Sequence, residues 1–292
     1  MRQFLLKIAI ALISFLMSLF PAEGQETNEG TLLYEINGNG LESPSYLFGT
    51  IHLLCPEDLN LSKKVSKAMD NSELLMLEID LSDRDVLKEI QSKMMYTDGT
   101  TAKDYLNKSE LQTVSKFFKD SMNMPFERLK SIKPFFLTSM TYRHYLDCQP
   151  ASWEFLLVQE AENRQMEIGG LETAEEQMAA IESMPLSLRK NMLIESVSEF
   201  QNMKKLFEEM LSYYLNENLL EIQSLANEYM SDEYAEMESK LLSERNHNWI
   251  DEINNISTAK SAFYAVGAAH LGGKNGIIRL LQNEGYTITP IY

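Results

Sequence analysis

The stretch Ser261-Ala262-Phe263-Tyr264-Ala265-Val266-Gly267-Ala268-Ala269-His270-Leu271-Gly272-Gly273 decides the fold. Its first part, through Val266, is a nearly unbroken apolar run, the pattern of a strand covered on both faces. A glycine-rich turn through Gly267, Gly272, Gly273 and Gly276 follows, then a helix expected over 275–284. Gly285 is placed to stop that helix, and residues 286–289 read as a last strand. Strand, glycine turn, helix and strand in succession indicate an α/β sheet.

Working outward, residues 31–37 and 45–49 read as short strands. The turn-forming Asn37-Gly38-Asn39-Gly40 and Ser43-Pro44 lie between them and predict a hairpin. A helix is expected over 62–70, and the apolar run Glu73 to Ile79 is a second doubly covered strand. From about 82 to 165 the chain reads as helical, with three- and four-residue apolar spacing over 83–95, 109–121, 126–147 and 153–165. A short strand at 166–169 precedes Thr173, which with Glu176 fits a capping box for a helix to about Ser183. Pro185 opens a polar-rich helical stretch to about 256, with a break expected near Met230-Ser231-Asp232. No internal repeat, low-complexity segment or Pro/Ser linker interrupts the chain. The expectation is one α/β domain over 25–292, with a central mixed sheet built from both chain ends and a large helical insertion at about 82–256.

The 292 residues are enough to bury a full core, and 44% hydrophobic with 24% charged residues is an ordinary globular balance. A formal net charge of -17 argues against nucleic acid, whose phosphates need clustered Lys and Arg, and against anionic lipid surfaces. A cationic metal or a basic peptide is compatible with it. At the N-terminus, Arg2 and Lys7 precede the uncharged run Ile8 to Phe20 and then Pro21-Ala22-Glu23-Gly24. That is the form of a signal peptide over 1–24, with cleavage expected before Gln25 and a run shorter than the roughly 20 residues of a membrane span. The mature chain is therefore expected in the periplasm or secreted, without a membrane span. No Cys follows the apolar run, so no lipid anchor is expected there.

Cys55 and Cys148 are the only cysteines. In an oxidising compartment they form one disulfide or remain two buried thiols, and the sequence leaves both open. Their number excludes a zinc site of four cysteines, or of three with a histidine. Cys55 as a nucleophile with His52 is disfavoured, because near neighbours in sequence seldom take catalytic geometry. There is no His-Glu-x-x-His helix, Gly-x-Ser-x-Gly elbow or dinucleotide fingerprint. A phosphate loop ending at Gly272-Gly273-Lys274 fails, since Ala268 stands where its first glycine is needed and Asn275 where Ser or Thr would bind magnesium.

What survives is a pair of segments, Gly49-Thr50-Ile51-His52 and Gly267-Ala268-Ala269-His270, each at the end of an expected strand. Ligands gather where the strands of an open α/β sheet end, and a glycine there lets the backbone turn sharply or approach closely. Two imidazoles and a carboxylate can hold a divalent ion with a position open for water. Glu78 and Asp80, at the end of the third strand, and Glu172, after the fourth, are the carboxylate candidates. Glu172 would equally suit the first turn of a helix. A strand-end His also serves as a hydrogen-bonded structural residue, and Glu78 as an N-cap or a solvated strand end. His144 and His247 read as surface or partly buried helix residues. Trp153, Phe155 and the 17 Met read as core and groove packing.

Five patterns recur together in order. They are Leu47-Phe48-Gly49-Thr50-Ile51-His52, Leu77-Glu78-Ile79-Asp80, Gly170-Leu171-Glu172-Thr173 with Gln177, Glu244-Arg245-Asn246 with Trp249, and Val266-Gly267-Ala268-Ala269-His270-Leu271 with Gly273 and Gly276. In this the chain resembles the TraB/GumN (TraB/PrgY/GumN, Tiki-like) family over essentially its whole mature length. The resemblance implies a fold related to ChaN-like and erythromycin-esterase-like proteins. For Tiki-like relatives it implies a metal-dependent peptidase using the paired Gly-x-x-His motifs with acidic and Arg residues. On this chain those positions are His52, His270 and Glu78 as metal ligands for Mn, Co or Zn, with Glu78, Glu172 and Arg245 as catalytic groups. Arg245 would grip a substrate carboxylate or stabilise an oxyanion. Without the resemblance it reads as an exposed helix residue paired with Glu244 or Glu252, and Asn246 and Trp249 as orienting that helix. The leading expectation is a hydrolase acting on a peptide or protein substrate. The alternative is a non-catalytic envelope protein that binds or sequesters a peptide in the same cleft, and a third is hydrolysis of a non-peptide ester.

Overall fold

The computed structural model describes residues 30–228 and 232–292. The leader expected at 1–24 and the break expected at Met230 and Ser231 lie outside them. In chain order the elements are β1 (Leu33–Gly38), β2 (Ser45–Thr50), α1 (Lys63–Asp70), β3 (Leu74–Leu77), α2 (Arg84–Lys93), α3 (Ala102–Tyr105), α4 (Lys108–Met122), α5 (Pro134–Tyr142), α6 (Trp153–Arg164) and β4 (Glu167–Gly170). Then come α7 (Ala174–Ser183), α8 (Leu186–Ser198), α9 (Phe200–Leu215), α10 (Leu219–Glu228), α11 (Asp232–Glu238), α12 (Glu244–Ala259), β5 (Ala262–Gly267), α13 (Ile277–Asn283) and β6 (Tyr286–Pro290).

The strands form one six-stranded mixed sheet in the order β4-β3-β5-β2-β1-β6. β5 lies inside it, parallel to β2 on one side and β3 on the other, and β3 is parallel to β4. Ala262 to Val266 are at most 1% exposed, which is why that segment carries no polar face to alternate. β1 pairs antiparallel with both β2 and β6, closing the sheet with elements from the two chain ends. The β1–β2 turn passes through positive φ at Gly38, Asn39 and Gly40, the residue types that accept it at least cost. α1, α6, α12 and α13 cover the sheet with Val65, Met69, Leu157, Trp249, Ile253 and Leu281. α9 and α10 add Tyr214, Leu219 and Ile222 to the same core. α4, α5 and α8 bury a separate cluster around Phe118 and Leu137, and α5, α7 and α8 bury one rich in Met around Met178 and Met184. No helix among the described residues is long and apolar enough to cross a membrane.

Several local expectations are corrected. The helix expected over 126–147 is a 3-10 turn at Phe126–Arg128 followed by α5. Pro134 opens α5 and forces Lys133 into extended backbone (ψ 149°), while Ile132 bridges to Met95. The long helix after Pro185 is broken at Glu199 and again at Glu217, which sits at φ 53°. No glycine or proline marks that second corner. It is held from a distance, because the Glu217 carboxylate accepts from the Leu32 amide at 3.2 Å and pairs with Lys64. Phe155 is not packed beside Trp153: it is 58% exposed, on the solvent side of α6. The open question about the cysteines resolves as a Cys55–Cys148 disulfide with Cα atoms 5.8 Å apart, which removes Cys55 as a nucleophile.

Candidate active site

Four neighbouring parallel strands, β4, β3, β5 and β2, end on the same edge of the sheet. His52 lies two residues beyond β2, Glu78 one beyond β3, Glu172 two beyond β4 and His270 three beyond β5. Parallel alignment therefore brings together residues more than 200 positions apart, at the edge where open α/β sheets take their ligands. Neither Gly-x-x-His glycine has positive φ. Both are needed for close approach: a Cβ on Gly49 would stand 2.7 Å from Leu271 Cδ1, and one on Gly267 3.3 Å from Glu78 Oε1.

Over this edge lies α12, entered through a π-helical turn at Ser239–Ser243. Arg245 is 8% exposed and clasps two carboxylates, not the solvent-facing Glu244 or Glu252. Its Nη2 donates to Glu78 Oε2 at 2.6 Å and to Glu172 Oε1 at 2.7 Å, and its Nε donates to Glu172 at 3.0 Å. Its Nη1 donates to the Leu241 carbonyl at 2.7 Å and lies 3.3 Å from His270 Nε2. All three guanidinium nitrogens are thus engaged, so the group holds the site together and has no free donor for a substrate carboxylate. Trp249 completes the clasp, its indole donating to Glu172 Oε2 at 3.1 Å while its ring lies under the Arg245 guanidinium and 4.6 Å from the His270 ring.

The tautomer of His270 follows from its neighbour. Asn246 Nδ2 donates to the carbonyls of His270 (3.2 Å) and Asn275 (2.8 Å), so Asn246 Oδ1 faces His270 Nδ1 as an acceptor at 2.6 Å. Nδ1 must then carry the proton, which leaves the Nε2 lone pair directed towards Arg245 and Glu78 Oε1, 3.6 Å away. Burial, helped by Arg245 and His52 and opposed by Glu78, lowers the His270 pKa to about 4, so the ring is neutral. His52 is arranged the same way at the other motif. Its Nδ1 lies 2.9 Å from Glu154 Oε1, which also accepts from Thr50 Oγ1 at 2.9 Å, and Ser152 donates to the other Glu154 oxygen. Desolvation opposes charge on His52, but Glu154 and then Glu78 raise its pKa; because the side chain is 67% exposed, water screens that shift.

The carboxylates divide by environment. Burial pushes Glu78 up, but His270, Arg245, His52 and the Gly267 amide (2.8 Å) outweigh it and hold it well below the usual range. Gln177 adds a contact at 3.4 Å. Glu172 goes the other way: desolvation, with repulsion from Glu78, overcomes Arg245 and Trp249 and raises its pKa. Desolvation likewise opposes charge on Glu154, but His52 and Ser152 prevail and lower its pKa. A cleft of about 340 Å3 between α7 and α12 opens onto Glu172, Arg245 and Trp249, with Ala179, Ala180 and Lys240 along its sides.

Of the sequence-derived candidates, His52, Glu78, Glu172, Arg245 and His270 converge here. Asp80 does not: it turns back to accept from the Ser82 amide at 2.9 Å. His247 lies on the exposed face of α12, and His144, expected on a helix, is half-buried in the turn that follows α5. Two participants were not foreseen as such. Glu154, which carries no motif in the sequence, supports His52; Asn246, read as orienting its helix, fixes the proton on His270. An acid in the first turn of a helix ordinarily answers the helix dipole, so nothing local distinguishes Glu154.

Among the described residues no group of three or more His, Cys, Asp or Glu side chains already stands at metal-holding positions. The donor chemistry nonetheless fits a divalent ion. Histidine ligands commonly donate their second ring N–H to a carboxylate or carbonyl oxygen, as both rings do here, with Glu78 Oε1 facing His270 Nε2. Three carboxylates against one guanidinium also leave the site rich in negative charge. No curated protein and no solved structure matches the chain. The model of the TraB/PrgY/gumN family matches residues 32–290, from the first strand to the last and across every site residue, and the chain belongs to that family.

Proposed function

We propose that the chain is a metal-dependent hydrolase acting on peptides outside the cytoplasm. The observation that carries this reading is the convergence of His52, Glu78, Glu172 and His270 at four parallel strand ends, each imidazole anchored through Nδ1. His52 Nε2, His270 Nε2 and Glu78 Oε1 would hold the ion, Mn, Co or Zn. Bound there, it would supply Lewis-acid polarisation of the scissile carbonyl and acidify water. Glu78, kept ionised by its neighbours, suits the role of ligand. Glu172, whose pKa burial raises, suits holding and passing a proton. Arg245 bridges the two carboxylates and compensates their charge; its engaged donors argue against a direct grip on substrate. The disulfide supports an oxidising compartment, in line with the leader expected at 1–24.

One observation favours the rival reading, a protein that binds peptides without cutting them: the Arg245 clasp already satisfies both carboxylates and caps His270 Nε2. The test is to titrate the purified mature chain with Mn, Co and Zn by calorimetry and to follow a peptide library by mass spectrometry. New peptide termini that vanish on chelation and in both His52→Ala and His270→Ala support the hydrolase. Peptides recovered intact favour sequestration. Cleavage that survives chelation and both substitutions rules out the metal mechanism.

A further inference from the structure

The Cys55–Cys148 disulfide is not placed at random with respect to the site. Cys55 follows His52 by three residues and Cys148 precedes Glu154 by six, so the bridge joins the two segments whose side chains meet in the His52–Glu154 hydrogen bond. Between those points a second tie sets the register: Leu54 and Ala151 exchange backbone hydrogen bonds at 3.2 and 2.8 Å. The two segments need these ties unequally. Glu154 is fixed from its own side, because Trp153 is buried against Phe48 with ring centroids 5.1 Å apart and Thr50 on β2 donates to the carboxylate. His52 stands past the end of its strand, with its side chain 67% exposed and Glu154 its one hydrogen-bond partner among the described residues.

From this we propose that the disulfide is a redox-sensitive positioning device that holds the His52 loop against Glu154 and so fixes the ring for the site. Oxidised, the bridge keeps Nδ1–H on the carboxylate and presents Nε2. A dithiol reductant delivers two electrons and two protons, the S–S bond breaks to two thiols, and the reductant closes its own disulfide. Both cysteines are half-buried, within reach of such a small reductant. The His52 loop is then held to the Glu154 segment by the Leu54–Ala151 pair and the His52–Glu154 bond, without the covalent tie. The consequence for metal and peptide rests on the hydrolase reading; the effect on the ring does not.

The experiment is 15N NMR of the four histidine rings in the metal-free mature chain, assigned by single His→Gln substitutions, before and after reduction with a dithiol. The proposal expects neutral His52 to hold the Nδ1–H tautomer when oxidised and to relax towards the Nε2–H form of free histidine when reduced. His270 and the Trp249 indole should remain unchanged. Glu154→Gln should weaken the same preference with the disulfide intact, and Cys55→Ser with Cys148→Ser should reproduce the reduced state. A His52 tautomer indifferent to reduction overturns the proposal. So does simultaneous loss of the His52, His270 and Trp249 signals, which would make the bridge a staple of the whole fold. If the oxidised chain binds cobalt, reduction should weaken it about 10–100-fold, the usual cost of losing a partner behind a metal ligand. If it binds none, the hydrolase reading fails while the tautomer result still decides this one.

Discussion

Asn246 decides which nitrogen of His270 carries the proton, and it does so with both ends of its amide. The Nδ2 end holds the carbonyls of His270 and Asn275, which forces Oδ1 towards Nδ1. Asn246→Ala removes both functions. It should cost about 1–3 kcal/mol for the buried groups left unpaired and weaken cobalt binding about 10–100-fold. Asn246→Asp keeps the acceptor for Nδ1 and loses the donor to the carbonyls. Urea melts and metal titration should separate the two roles, with N246D losing stability yet binding cobalt more tightly than N246A. Equal binding by the two variants would show that tautomer control is not what Asn246 contributes. At this scale the sequence was only partly legible. Gly-x-x-His fixed the two histidines in place, but their partners Glu154 and Asn246 come from helices whose local pattern records only an exposed acid and a polar helix face.

At the scale of elements, the edge of the sheet is set by how closely β2, β3 and β5 and their following turns approach. Gly49 packs against the 3-10 turn Ala268–His270, where a Cβ would stand 3.2 Å from the Ala268 Cα. Gly267 instead leaves room for the Glu78 carboxylate. Gly49→Ala should therefore destabilise the fold by about 1–3 kcal/mol through overpacking, measured by urea unfolding. Gly267→Ala should lose less stability and more metal affinity, because what it displaces is Glu78. The reverse order would contradict this division. β3 and β5 were readable because burial on both faces leaves an unbroken apolar run. The corner at Glu217 was not, because it is held by Lys64 and Leu32, more than 150 positions earlier, and no local turn residue marks it.

The whole molecule brings buried charge together from both chain ends, and its stability should respond to pH accordingly. His270 has a folded pKa of about 4 against an ordinary 6.5, so the unfolded chain takes up a proton that the folded chain refuses. Its contribution is complete above pH 6.5 and lost as pH falls towards 4, by at most about 3 kcal/mol. The metal-free protein should accordingly unfold at lower urea as pH drops through that window. His270→Gln should flatten the dependence, and an unchanged slope would place the ring in contact with water. The proposed function rests on His52, Glu78 and His270 forming one cation site. It is tested most directly by a crystal structure grown with cobalt and read by anomalous scattering. One anomalous peak is expected about 2 Å from both His52 Nε2 and His270 Nε2, with Glu78 Oε1 beside it. No peak there at saturating cobalt, with Arg245 still bridging Glu78 and His270, would contradict it.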